Sequence, residues 1–80
     1  MYTIDSLLPG EQGKITAIGG KGALRRRLLE MGLTPGTNIL IQKMAPMGDP
    51  IEICVRGYQL TLRKDDAKNI TVEKLSGGNQ

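Results

Sequence analysis

Three features of this sequence predict a mostly β fold: a small barrel of five short strands, with one helix inserted after the first strand and a single helical turn before the last. Pro-Gly turns at Leu8-Pro9-Gly10-Glu11 and Thr34-Pro35-Gly36-Thr37 each deliver the chain into an alternating segment. Apolar spacing turns helical over one long stretch only, between Ala23 and Met31. Two alternating runs flank Arg56-Gly57 so that apolar residues meet across the turn. The barrel is expected to be closed or nearly closed, and closure hides edges that would otherwise pair with other chains.

The elements follow in order. Each Pro-Gly turn places Pro second and Gly third, as a type II turn requires, so one turn chemistry is used twice. After the first turn, Gly13, Ile15 and Ala17 alternate with Lys14, Thr16 and Ile18, which predicts a strand with the first set inward. Gly19-Gly20-Lys21-Gly22 ends it. In the helix, Leu24, Leu28 and Met31 share one face, opposite Arg26 and Glu30. Leu29 stands about 100 degrees from Leu28 and must either widen the buried face or stay partly exposed. Gly32 is expected to be left-handed just past the helix, folding Leu33 back on Leu28 as in a Schellman stop.

The second strand is predicted over Asn38 to Lys43, with Ile39 and Ile41 inward, Gln42 outward and Leu40 an apolar exception on the outer face. A tight turn at Arg56-Gly57 pairs Val55 with Tyr58, Ile53 with Leu60 and Ile51 with Leu62. Arg-Gly is not the favoured two-residue pair, and a longer type I turn with a glycine bulge is the alternative. Lys64 to Asn69 makes one helical turn, and Ile70 and Val72 alternate with Thr71 and Glu73 in the last strand. The domain is expected to occupy residues 1–75, with Ser76-Gly77-Gly78-Asn79-Gln80 a disordered tail.

With no Trp, no Phe and two Tyr, the core must be built from Ile, Leu, Val, Met and Ala. About sixteen apolar side chains stand in inward positions, each worth roughly 1.5–3 kcal/mol if fully buried, before conformational entropy removes most of the gain. A net charge of +3 favours solubility and an acidic partner but falls short of a nucleic-acid signature. The single cysteine, Cys54, cannot form an internal disulfide, which points to a reducing compartment. No segment approaches the roughly 20 apolar residues of a membrane span, and the first residues lack the charged region and apolar run expected of a signal peptide. The expected location is the cytoplasm, with any membrane association peripheral, at the inner face.

Few constellations carry chemistry. Gly19-Gly20-Lys21-Gly22 resembles a phosphate loop, but Ile15 stands where its first glycine belongs and Gly22 where Ser or Thr should hold magnesium. Without histidine, one thiol cannot build a tetrahedral sulfur site, which leaves only carboxylates; the adjacent Asp65 and Asp66 are expected to cap a helical turn. Ser6 and Ser76 lack an imidazole base, and Cys54 has no activating partner. No catalytic residue, metal ligand or cofactor is therefore assigned. Arg25, Arg26 and Arg27 diverge around a helix and suit a solvated face or an acidic protein surface better than RNA, since stacking aromatics are missing. The loop from Met44 to Pro50 carries Met44 and Met47 either as adaptable contacts for a partner or as a cap on one barrel end. Leu29 and Leu40 are further candidates for exposed apolar area.

Taken together, the run Leu24 to Thr37, Pro46-Met47-Gly48-Asp49-Pro50-Ile51 and Arg56-Gly57-Tyr58-Gln59-Leu60-Thr61-Leu62-Arg63 resemble the FeoA family, over roughly Tyr2 to Leu75. The resemblance implies an SH3-like barrel and a small cytosolic accessory protein of bacterial ferrous-iron uptake. It also implies a partner, FeoB, the membrane iron transporter with a cytosolic GTP-binding domain, to which permeation and GTP hydrolysis would belong. Some metal-dependent repressors end in a related domain but carry a separate DNA-binding domain, which this sequence lacks. The expected function is a non-enzymatic module docking on FeoB. Its expected contacts are Leu29, Leu40, Met44 and Met47 as apolar anchors, with Arg25 and Arg26 supplying steering charge. Weak self-association is compatible with such a surface. The alternatives are a nucleic-acid-binding SH3-like barrel of translation-protein type, whose affinity would fall steeply with salt, and iron sensing through carboxylates gathered from several chains.

Overall fold

The computed structural model describes residues 2–75, which form one six-stranded antiparallel sheet with two helices. In chain order they are β1 (Tyr2–Thr3), a 3-10 turn (Ile4–Ser6), β2 (Gln12–Ile18), α1 (Gly22–Glu30), β3 (Asn38–Met44), β4 (Ile51–Val55), β5 (Tyr58–Leu62), α2 (Lys64–Ala67) and β6 (Ile70–Leu75). The strands lie in the order β1-β6-β2-β3-β4-β5. The five expected strands are present, and β1 is an addition: two residues are too few to show a period. It matters because β1 and the 3-10 turn deliver Ile4 and Leu7 into the core. The ladder does not close, so β1 and β5 are its edges. The tail expected at residues 76–80 lies outside the described residues.

Local turn chemistry sets the path. Glu11 N–H donates to the Leu8 carbonyl (2.9 Å) and Thr37 N–H to the Thr34 carbonyl (3.1 Å), with Gly10 and Gly36 left-handed at φ 92° and 93°. Arg56 (φ 50°) and Gly57 (φ 85°) make a two-residue type I′ turn, and the hairpin register is the one expected. At the end of α1, Gly32 N–H donates to the Leu29 carbonyl (3.0 Å) and Leu33 N–H to the Leu28 carbonyl (3.2 Å), the two bonds of a Schellman stop. Leu28 and Leu33 are both fully buried.

Two bulges revise the inward pattern. The β2–β6 register shifts between Ile15 and Ala17, so Thr16 is the extra residue; Ile18 turns inward and Ala17 outward, the reverse of the expectation. The β3–β4 register shifts between Ile41 and Lys43, making Gln42 the extra residue and placing Met44 opposite buried Ile51. Along β5, burial fades from Leu62 through Leu60 to an exposed Tyr58, whose hydroxyl donates to the Met31 carbonyl (2.7 Å) and ties α1 to the hairpin.

Gly32 is constrained twice, by φ 91° and by the Tyr58 hydroxyl, 2.7 Å from where a Cβ would stand. Gly32→Ala should destabilise the fold by about 1–3 kcal/mol in chemical denaturation. Combining it with Tyr58→Phe should cost less than the two separate losses added together, because the second change removes the atom in the way. A further expectation concerns the Glu11–Lys74 pair (2.5 Å). Lys74, and then the Leu8 N–H, hold the Glu11 carboxyl below its ordinary 4.5, and Glu11 in turn raises Lys74 above 10.5. A lowered carboxyl stabilises above its unfolded value and loses that contribution as pH falls through the folded one; the raised amine stabilises below 10.5 and loses it on the alkaline side. Glu11→Gln should therefore lower the melting temperature at neutral pH, with the difference from wild type vanishing in melts taken well below pH 4.5.

Candidate functional site

Helix α1 buries Leu28 and packs half-buried Leu24, Leu29 and Met31 against the core, so Leu29 widens the apolar stripe. Its three arginines divide. Arg25 and Arg26 are exposed and form no ion pair among the described residues. Arg27 reaches Asp66 (2.6 Å), a carboxylate only 7% exposed that also accepts the Arg63 N–H (3.3 Å). Asp66 thus caps α2, as expected of it, and at the same time fastens α1 to the turn before β6. Its neighbour Asp65 pairs with Lys68 (3.4 Å) at the surface.

At the far end of β3, the loop to β4 is closed by Ala45 N–H to the Pro50 carbonyl (3.0 Å) and Gly48 N–H to the Ala45 carbonyl (2.7 Å). The fold separates its two methionines. Met44 is half-buried and packs against the core, while Met47 stands 85% exposed at the tip. Gly10 N–H donates to the Ile41 carbonyl (2.7 Å), which brings the first Pro-Gly turn to the same end, with Leu8 63% exposed. Leu8 was not among the expected contacts, because a leucine before Pro-Gly reads as a turn position; only the Gly10–Ile41 pairing shows where it lies.

Leu40 sits apart from both groups, half-buried on the outer face of β3. Register places Leu75, Gln12, Leu40, Cys54 and Gln59 in one row across five strands. The expected contacts therefore fall on three surfaces rather than one: Arg25, Arg26 and Leu29 on α1, Leu40 on the outer face, and Met47 above Met44 at the β3–β4 end. Strand β3 begins beside the turn that follows α1 and ends at this loop, so its length separates the first set from the last.

One concavity was not expected. Arg27, Thr61, Arg63, Asp65 and Asp66 line an open groove of about 420 Å³ beside the end of β5. Its residues come from α1, the hairpin and α2, which only the folded chain brings together. It holds charged and hydroxyl groups but no nucleophile paired with a base. Among the described residues no three His, Cys, Asp or Glu side chains are grouped to hold a metal ion, and no helix is long and apolar enough to cross a membrane.

Comparison with known proteins gives a consistent picture. The family described as the FeoA domain matches residues 2–74. A protein of Porphyromonas gingivalis described as an Fe(2+) transport protein A/Fe(2+) transporter FeoB fusion protein is 37% identical over 73 residues, a match covering 91% of this chain and 9% of the fusion. The solution structure of iron(II) transport protein A from Clostridium thermocellum is 37% identical with a TM-score of 0.89, covering 95% of this chain and 47% of that one. FeoA of Stenotrophomonas maltophilia, crystallised with zinc and described as a prokaryotic SH3 domain protein, superposes with a TM-score of 0.80 over 91% of each chain at 23% identity. That likeness establishes the SH3-like fold, here with its sheet open between β1 and β5.

The burial difference between the methionines is directly testable. Met44→Asp should destabilise the protein by about 1–3 kcal/mol, because it sets a charge against the core, whereas Met47→Asp should stay within about 0.5 kcal/mol of wild type. Parallel urea titrations of the two variants give both values.

Proposed function

The chain belongs to the FeoA family, and from that premise we propose that it is a non-enzymatic accessory protein of ferrous-iron uptake that docks on the cytosolic part of the FeoB transporter and promotes or regulates its transport. The observation that carries this reading is the Porphyromonas gingivalis fusion, in which a segment 37% identical to this chain shares one polypeptide with FeoB. Joining two modules raises their effective concentration, an arrangement that suits parts working in contact. The chemistry of the chain agrees with the reading. Its groove offers two guanidinium groups, two carboxylates and a hydroxyl, suited to recognition rather than to moving a proton or activating water.

In this reading the protein works in the cytoplasm at the inner face of the membrane, and iron passes through the partner. The exposed apolar tips Met47 and Leu8 and the half-buried Leu29 and Leu40 supply desolvation, while Arg25 and Arg26 steer the encounter. Titrating isotope-labelled protein with the cytosolic domain of FeoB, and then with full-length FeoB, should shift backbone resonances on at least one of the three surfaces. Absence of any shift with both would remove the docking reading. In cells lacking only this chain, Leu29→Glu or Met47→Glu should restore ferrous-iron uptake less than the wild-type chain; full rescue by both would place the contact elsewhere.

A further inference from the structure

The two edges of the open sheet are treated differently. β1 is only two residues long, too short to offer a template. β5 presents five residues, Tyr58–Leu62, with no proline, no charged side chain and no register shift against β4, so it carries none of the usual devices that blunt an edge. The two-residue turn fixes which groups face outward. Val55 and Tyr58 form the hydrogen-bonded pair that closes it, and alternation then turns Tyr58, Leu60 and Leu62 toward β4. The backbone N–H and C=O groups of Gln59 and Thr61 point away from the sheet, and neither donates or accepts a backbone bond in any turn or loop of the described residues. Beyond Thr61 the free edge ends, since the Arg63 N–H and carbonyl are taken by α2.

The space alongside is open and charged. The groove of about 420 Å³ starts at Thr61 and Arg63 and is walled by Arg27 and the two aspartates. Those aspartates are already matched, Asp66 by Arg27 and Asp65 by Lys68. Arg63, at the end of β5, has no ion pair among the described residues, whereas Arg56 in the turn reaches the Thr37 hydroxyl (3.1 Å) before β3, across β4 from the free edge; Glu52, opposite Thr61 on β4, is the one acidic neighbour in the ladder. With both aspartates matched, Arg63 leaves the groove one unpaired positive charge at the end of the free edge.

We propose that β5 is a strand-addition site: an extended acidic segment of the docking partner lies along it as a seventh strand, bonding to the backbone of Gln59 and Thr61 and setting a carboxylate against Arg63 in the groove. This rests on the docking reading and gives it a mode, in which main-chain bonds supply affinity and Arg63 selects for an acidic residue where the segment enters the groove.

Amide hydrogen exchange followed by NMR, with and without the cytosolic domain of FeoB, tests it. In the complex, the Gln59 and Thr61 amides should slow by at least about tenfold. Thr61→Pro, which removes only an outward donor, should weaken binding by about tenfold, while Thr61→Val, which keeps the N–H, should bind within about twofold of wild type. Binding in which both amides keep their free exchange rate would overturn strand addition and leave docking intact. No binding to that domain or to full-length FeoB would overturn both. Slowed exchange that grows with the concentration of this protein alone would show that a second copy takes the edge, and would overturn the acidic partner. Should Thr61→Pro fail to fold, the exchange rates of the wild-type chain decide the matter.

Discussion

The bond from the Leu33 N–H to the Leu28 carbonyl holds the rest of the molecule to its shape. It ends α1, reverses the chain through Gly32 and lays two fully buried leucines against one another before the second Pro-Gly turn begins. A core without large aromatic rings has little area to spare, so the placement of each aliphatic side chain counts. Once α1 is stopped there, the Met31 carbonyl just past its end meets the Tyr58 hydroxyl, Arg27 meets Asp66, and the gap beside β5 acquires its far wall.

Much of this was legible from residue types alone, for a definite reason. Proline and glycine impose backbone angles without reference to the rest of the chain, so both type II turns and the helix stop could be read locally. The β4–β5 pairing was legible because only one alignment matches Ile51, Ile53 and Val55 with Leu62, Leu60 and Tyr58. The bulges at Thr16 and Gln42 were not, since a bulge is decided by how two strands fit and leaves no mark on either one. Nor could the pattern tell which of three consecutive arginines finds a carboxylate, because the answer lies on Asp66, 39 positions away.

The candidate contact residues fared according to the same rule. Composition identified the apolar side chains without a place in the alternation, Leu29 and Leu40, and both prove half-buried. It treated Met44 and Met47 as a pair, and the fold separates them. It missed Leu8 and the groove altogether, because each is created by strands meeting from distant parts of the chain. Several separate exposed surfaces around one aliphatic scaffold suit the docking role proposed for it.

The extra residue at Gln42 resets the parity of β3 just before the loop begins. Which side of the sheet Met44 occupies, and the direction in which the Met47 hairpin tip departs, are thereby decided upstream of the loop. Loop length is free to drift through insertions or deletions between Ala45 and Asp49 without disturbing the interior. One residue gained or lost between Ile41 and Lys43 would instead exchange inside for outside at Met44, trading a lid on the core for a sticky exterior.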